Sequence, residues 1–186
     1  MSQKFINFNG EILDSEDKIF DGSNRGFKYG DGIFESMKVA NGKLNFADLH
    51  AERLQHGMKT LKLEGYTNLD TYFLKDKVEE ICKRNKLGLN ARLRLTVYRN
   101  AGGLYAPDSN KFGYYLEGVP TDSASYQING KGLIVDLYSD IYKPVNKLSN
   151  LKTCNSLPYV MAGIFKQQLK LDEAFILNQN GFLCET

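Results

Sequence analysis

The sequence predicts an α/β (α+β) chain in two parts. Three features predict it: Asn-Gly turns between short apolar runs near the amino terminus, two helix-period segments after residue 45, and a further strand, helix and hairpin beyond a polar, aperiodic stretch at residues 120–125. The 186 residues are 42% hydrophobic, 25% charged and 12% aromatic, with four Pro and Gly scattered rather than repeated, so disordered and collagen-like classes are excluded.

Taken in order, Phe5–Phe8 and Glu11–Leu13 flank Asn9-Gly10, and Glu35–Val39 and Lys43-Leu44 flank Asn41-Gly42. Asn-Gly supplies the two positive-φ positions of a tight hairpin turn, so residues 1–45 read as β. The period then changes. Phe46, Leu49, Leu54, Met58 and Leu61 recur at helical spacing, and so do Tyr72, Phe73, Val78, Ile81 and Cys82 before Gly88. Ala91–Tyr98 alternates, with Leu93, Leu95 and Val97 on one side and Arg92, Arg94, Thr96 and Tyr98 on the other; Phe112–Val119 is another strand, reached through a loop at Gly102–Pro107. The polar stretch marks a boundary, giving a first domain at 1–120, a linker at 121–130 and a second domain at 131–186. Its expected elements are a strand at Gly132–Tyr138, a helix at about Ser156–Lys170 and a hairpin, Ala174–Leu177 with Phe182–Glu185, turning at Asn180-Gly181. That is close to the lower limit for an independent core, so the second domain reads as cut short.

Lys plus Arg exceed Asp plus Glu by only 24 to 22, and Lys83-Arg84-Asn85-Lys86 adjoins Glu79-Glu80, so no basic stripe of the kind that tracks nucleic-acid phosphates is present. No window approaches the ~18 apolar residues of a membrane span and the first residues carry no apolar leader, so the expectation is a cytoplasmic protein with neither membrane nor nucleic acid as partner. Cys82, Cys154 and Cys184 form no CxxC pair, and His50 and His56 are the only histidines, which leaves no metal site to expect.

Few single residues stand out. Gly30-Asp31-Gly32 leads into a β-alternating run rather than a third Gly and a helix, so it reads as a turn and not as a dinucleotide fingerprint; Asn129-Gly130-Lys131-Gly132 lacks P-loop spacing. His50 and Arg53 lie three apart on one helical face, where an Arg is ordinarily a solvated charge but equally suits an anion clamp. Lys152 is ordinary as an exposed residue, yet Leu148, Leu151 and Leu157 lie close by in sequence, and a desolvated Lys becomes an amine nucleophile. Glu185, after Phe182-Leu183-Cys184, either faces water or pairs with a cation.

Taken together and in order, Asn24-Arg-Gly-Phe-Lys-Tyr-Gly-Asp-Gly-Ile-Phe-Glu35, Phe46-Ala-Asp-Leu-His-Ala-Glu-Arg-Leu54, Leu151-Lys-Thr-Cys-Asn155, Asp172–Asn178 and Gly181-Phe-Leu-Cys-Glu185 resemble the class IV aminotransferases. This pyridoxal 5'-phosphate family holds branched-chain aminotransferases, D-amino-acid aminotransferases and aminodeoxychorismate lyases. The resemblance implies a small amino-terminal two-layer α/β domain, an incomplete carboxy-terminal barrel-like α/β domain, and a homodimer. It implies that Lys152 is the Schiff-base and proton-shuttling lysine, Arg53 the ligand of the cofactor phosphate and Glu185 the partner of the pyridine nitrogen, with Phe34, Arg92 and Arg94 bordering the substrate.

The family continues past this glutamate into parts that cup the phosphate, and the chain ends at Thr186, so these 186 residues alone are expected to hold cofactor weakly or not at all. The implied activity is amino-group transfer between an α-amino acid and a 2-oxo acid. The alternative is an aminodeoxychorismate lyase releasing pyruvate and 4-aminobenzoate in folate synthesis. Asn155, three residues after Lys152, is similar to the lyase and D-amino-acid branches. Against them, Arg99–Tyr105 lacks the Arg-x-His of the D-amino-acid branch, and Leu104 stands where the lyase has Arg. A non-catalytic module on the same scaffold is the third reading.

Overall fold

The computed structural model describes residues 4–122, 125–128 and 130–186. Ser123, Ala124 and Asn129 of the expected linker, and with Asn129 part of the Asn129–Gly132 glycine motif, lie outside these residues. The chain divides into two compact units, Met1–Tyr126 with Lys152–Cys154, and Gln127–Leu151 with Asn155–Thr186.

The first unit is a two-layer arrangement. Its strands are β1 (Phe5–Phe8), β2 (Glu11–Asp14), β3 (Gly32–Ala40), β4 (Lys43–Leu44), β5 (Ala91–Arg99) and β6 (Phe112–Pro120), in the order β2-β1-β6-β5-β3-β4. All the pairings are antiparallel, and the hairpins turn at Asn9-Gly10 and Asn41-Gly42 with positive φ at each residue, as the sequence predicts. The helices α2 (Ala47–Thr60) and α3 (Thr71–Arg84) cover one face of this sheet. Leu93, Leu95 and Val97 of β5 are fully buried with Leu54, Met58 and Ile81 of these helices, which is the apolar side of the predicted alternation. Asp70 caps α3 by accepting the Phe73 N–H at 2.8 Å.

One element corrects the all-β reading of the first 45 residues: a short helix, α1 (Arg25–Tyr29), precedes β3. Asn24 caps it by accepting the Phe27 N–H, and Gly30 closes it in the left-handed region at φ 63°. A helix of five residues is too short to print a period, and its caps were the only local signal.

In the second unit, β7 (Val135–Lys143) runs parallel to β8 (Glu173–Asn178), with α4 (Leu157–Gln168) between them in the chain, and β9 (Leu183–Glu185) pairs antiparallel with β8. Tyr138, Ala162, Ala174 and Ile176 form its small core. β7 runs past the predicted end at Tyr138 through an irregularity in register, which hides the period of its last residues. The final hairpin also differs from a two-residue Asn-Gly turn. Of its turn residues only Gly181 has positive φ, 80°, and its N–H bonds the Asn178 carbonyl at 2.9 Å, so the loop is one residue longer and ends on the glycine. No described helix is long and apolar enough to cross a membrane.

Candidate active site

Lys152 lies alongside β3. The Phe34 N–H bonds the Lys152 carbonyl and the Cys154 N–H bonds the Gly32 carbonyl, each at 2.9 Å, with Thr153 bridged to Ile33 between them. The segment Lys152–Cys154, which the sequence reading assigned to the second domain, is thus an extra strand-like piece of the first unit's sheet. Gly32 permits this approach: a Cβ there would lie 2.7 Å from the Val97 carbonyl oxygen and 3.3 Å from Cys154 Sγ.

Strand alternation decides which side chains meet. Ile33 and Glu35 point to the helices, so Phe34 points to the other face, where its direct partner on β5 is Thr96. There Lys152 Nζ sits 4.7 Å from the centre of the Phe34 ring and the Arg94 guanidinium carbon 3.6 Å from it. Three of the predicted site residues, Lys152, Phe34 and Arg94, therefore converge around one aromatic ring. Arg92 is two residues along the same strand face and exposed. A cavity of about 470 Å³ opens on this face, walled by Phe20, Asn24, Phe27, Thr96, Tyr98 and Cys154. Burial pushes the Cys154 thiol pKa up, against a smaller downward pull from Arg94, so the cavity wall carries a neutral sulfur.

Arg53 is elsewhere. It reaches from α2 to Glu35, donating Nε–H to Oε1 at 2.7 Å and Nη2–H to Oε2, and His50 Nδ1 lies 2.7 Å from the same Oε2. Glu35 is 1% exposed, whereas the Arg53 side chain is 49% exposed. Burial alone would raise the Glu35 pKa, but the bonds from Arg53 and His50 outweigh it and hold the carboxyl below its ordinary range. Arg53 Nη1 bonds none of the described residues, so half of the guanidinium is fixed and half is available to an anion.

Glu185 ends β9. Its Oε1 pairs with Lys143 Nζ and accepts the Tyr159 hydroxyl at 3.1 Å, and Oε2 takes no hydrogen bond from the described residues.

The sequence reading missed a buried polar network under the glycine turn. Arg25 is 3% exposed; its Nε donates to Asp31 at 2.8 Å and its Nη1 to the carbonyls of Gly102 and Leu104, while Arg99 Nε reaches the same Asp31 oxygen at 2.9 Å. The network ties α1 to the loop after β5. Its only sequence signal was an arginine and an aspartate flanking glycines, which is equally the look of a surface turn.

The family model for class IV amino-transferases matches residues 32–186. A putative branched-chain-amino-acid aminotransferase of Methanocaldococcus jannaschii is 28% identical over 186 residues, covering 97% of this chain and 62% of its own. An aminodeoxychorismate lyase of Bacillus subtilis is 31% identical over 93 residues, 50% of this chain and 31% of its own. Among solved structures, the branched-chain aminotransferase of the archaeon Thermoproteus uzoniensis with norvaline superposes with a TM-score of 0.78 at 20% identity, covering 99% of this chain and 63% of that one. The chain thus spans about three-fifths of the length of the relatives that match it throughout. Since the family match begins where β3 and Lys152 meet and runs to the last residue, the chain belongs to the class IV aminotransferases.

Proposed function

We propose that the protein transfers an amino group between an α-amino acid and a 2-oxo acid, with pyridoxal 5'-phosphate as cofactor and as a homodimer. The observation that carries this reading is the Lys152 amine held against Phe34 beside Arg94. Each unit offers groups of the kind the cofactor needs: in the first, the primary amine of Lys152 and the Nη1 of Arg53, which could meet a phosphate; in the second, the Oε2 of Glu185, which could meet a protonated ring nitrogen. Neither this Nη1 nor this Oε2 is bonded by any of the described residues. When bound, the cofactor supplies an electron sink for the pair left behind at the substrate Cα.

This chain's residues do the rest. The Nζ of Lys152 would hold the cofactor covalently, and as a free amine it would take the Cα proton and return it. Phe34 presents an apolar ring face beside Nζ. Arg94, stacked on the same ring, offers a guanidinium to a substrate carboxylate, and exposed Arg92 adds positive charge along that face. The second reading, a lyase releasing pyruvate from aminodeoxychorismate, is favoured by Asn155 and by the similarity to the lyase over half of the chain.

Borohydride reduction of the full-length holoprotein followed by peptide mapping is expected to place a pyridoxyl group on Lys152. An adduct elsewhere, with Lys152→Ala still holding cofactor covalently, sinks the assignment. Ping-pong kinetics with an amino donor and 2-oxoglutarate distinguish the transferase; pyruvate release from aminodeoxychorismate with no amino-acid half-reaction establishes the lyase.

A further inference from the structure

The two oxygens of Glu185 are not equivalent. Both of its donors, the Lys143 ammonium and the Tyr159 hydroxyl, converge on Oε1, and Oε2 is left with no partner among the described residues. A carboxylate rotates freely about its last carbon–carbon bond unless something fixes it, and two donors on one oxygen fix it.

The surrounding elements hold both donors in place. The register irregularity between Tyr138 and Lys143 re-aims the end of β7, and Lys143 then pairs with Asn178 on the central strand, within reach of β9. The Gln179 N–H bonds the Lys143 carbonyl at 3.1 Å and fixes the backbone under that side chain. Tyr159 stands in the first turn of α4, just after Pro158, so its ring direction follows from the helix start. Burial would lower the Lys143 pKa, but its bonds to Glu185 and Tyr159 hold it above its ordinary value, so Oε1 faces a full positive charge at neutral pH.

We infer that Lys143 and Tyr159 are positioning residues that engage Oε1 of Glu185 and thereby turn Oε2 toward the cationic N–H of the heteroaromatic cofactor. The inference rests on the role proposed above for Glu185 and adds two residues that act through it. Lys143 does more than fill a surface ion pair: by satisfying one oxygen it leaves the other as the single acceptor for the ring nitrogen.

The test reads the protonation of the ring nitrogen directly, by ¹⁵N NMR of full-length protein loaded with ¹⁵N-labelled pyridoxal phosphate. Wild type is expected to show a protonated nitrogen and Glu185→Gln an unprotonated one. Lys143→Met is expected to shift the signal toward the unprotonated position and to weaken cofactor binding roughly 10-fold, the loss expected for one charge-assisted hydrogen bond. Lys143→Arg is expected to restore both, and Lys143→Met is expected to add little in the Glu185→Gln background, since both act on one interaction. Tyr159→Phe, which removes one hydroxyl, tests the same orientation if Lys143→Met does not fold. A protonated nitrogen in Lys143→Met and Tyr159→Phe, with Glu185→Gln unprotonated, overturns the positioning role alone. A protonated nitrogen in Glu185→Gln overturns the reading of Glu185 and this inference with it.

Discussion

Arg53 and Glu35 form an ion pair between a half-exposed cation and a buried carboxylate. The guanidinium commits Nε and Nη2 to a carboxylate that is 1% exposed, and this fixes the direction of the remaining Nη1. Because the folded-state pKa of Glu35 is depressed, its contribution to stability is fully present above the unfolded-state value of about 4.3 and is lost as pH falls through the lower folded value. Glu35→Gln is expected to lower stability by about 1–2 kcal/mol at pH 7, the loss of charge-assisted hydrogen bonds to a partner, Arg53, that stays half exposed to water. The gap to wild type should close as pH drops from about 5 toward 3, measured by urea unfolding at each pH. A gap that stays constant over that range would show that Glu35 contributes shape rather than charge.

At the scale of elements, β3 organises the first unit's candidate site residues. Its alternation sends Glu35 to α2 and Phe34 to the Lys152 face, and its first residue, Gly32, lets the Lys152–Cys154 segment come alongside. Gly32→Ala places a methyl 2.7 Å from the Val97 carbonyl oxygen, a backbone atom held by the sheet. The substitution is expected to cost about 1–3 kcal/mol by overpacking. Because the pairing with this segment holds the Phe34 N–H on the Lys152 carbonyl and the Cys154 N–H on the Gly32 carbonyl, the substitution is also expected to expose these two amides to hydrogen exchange. Unchanged protection of the Cys154 amide in this variant would remove Gly32 from the role.

At the scale of the whole molecule, the Arg25 network holds a surface in place. Arg25 binds the carbonyls of Gly102 and Leu104, and the Tyr29 and Tyr105 rings meet at 5.5 Å, while Phe27, Leu104 and Tyr105 are 83, 77 and 88% exposed. Large apolar side chains fixed outward on a latched loop are costly unless something covers them, and the proposed homodimer supplies a cover. The full-length protein is expected to have a melting temperature that rises with protein concentration. Phe27→Glu is expected to abolish that dependence while leaving the circular dichroism of the fold unchanged. A melting temperature independent of concentration in wild type counts against the dimer.

The sequence alone determined the hairpins at Asn9-Gly10 and Asn41-Gly42, the helices α2 and α3, the two sides of β5 and the family, because each depends on residues adjacent in the chain or on ordered motifs. Lys152, Arg53 and Glu185 were picked out for the same reason. Only the tertiary structure decided what each of them touches: Lys152 meets Phe34, which also carries Arg94; Arg53 meets Glu35, which also bonds His50; and Glu185 meets Lys143 and Tyr159. Each contact joins residues 15 or more apart in sequence and on different elements. Nothing in local period or composition encodes such a pair, since a lysine on a strand end such as Lys143 looks identical whether it meets water or a carboxylate. The network of Arg25, Asp31 and Arg99 was hidden likewise, because its energy comes from burial that only the assembled sheet, short helix and loop create.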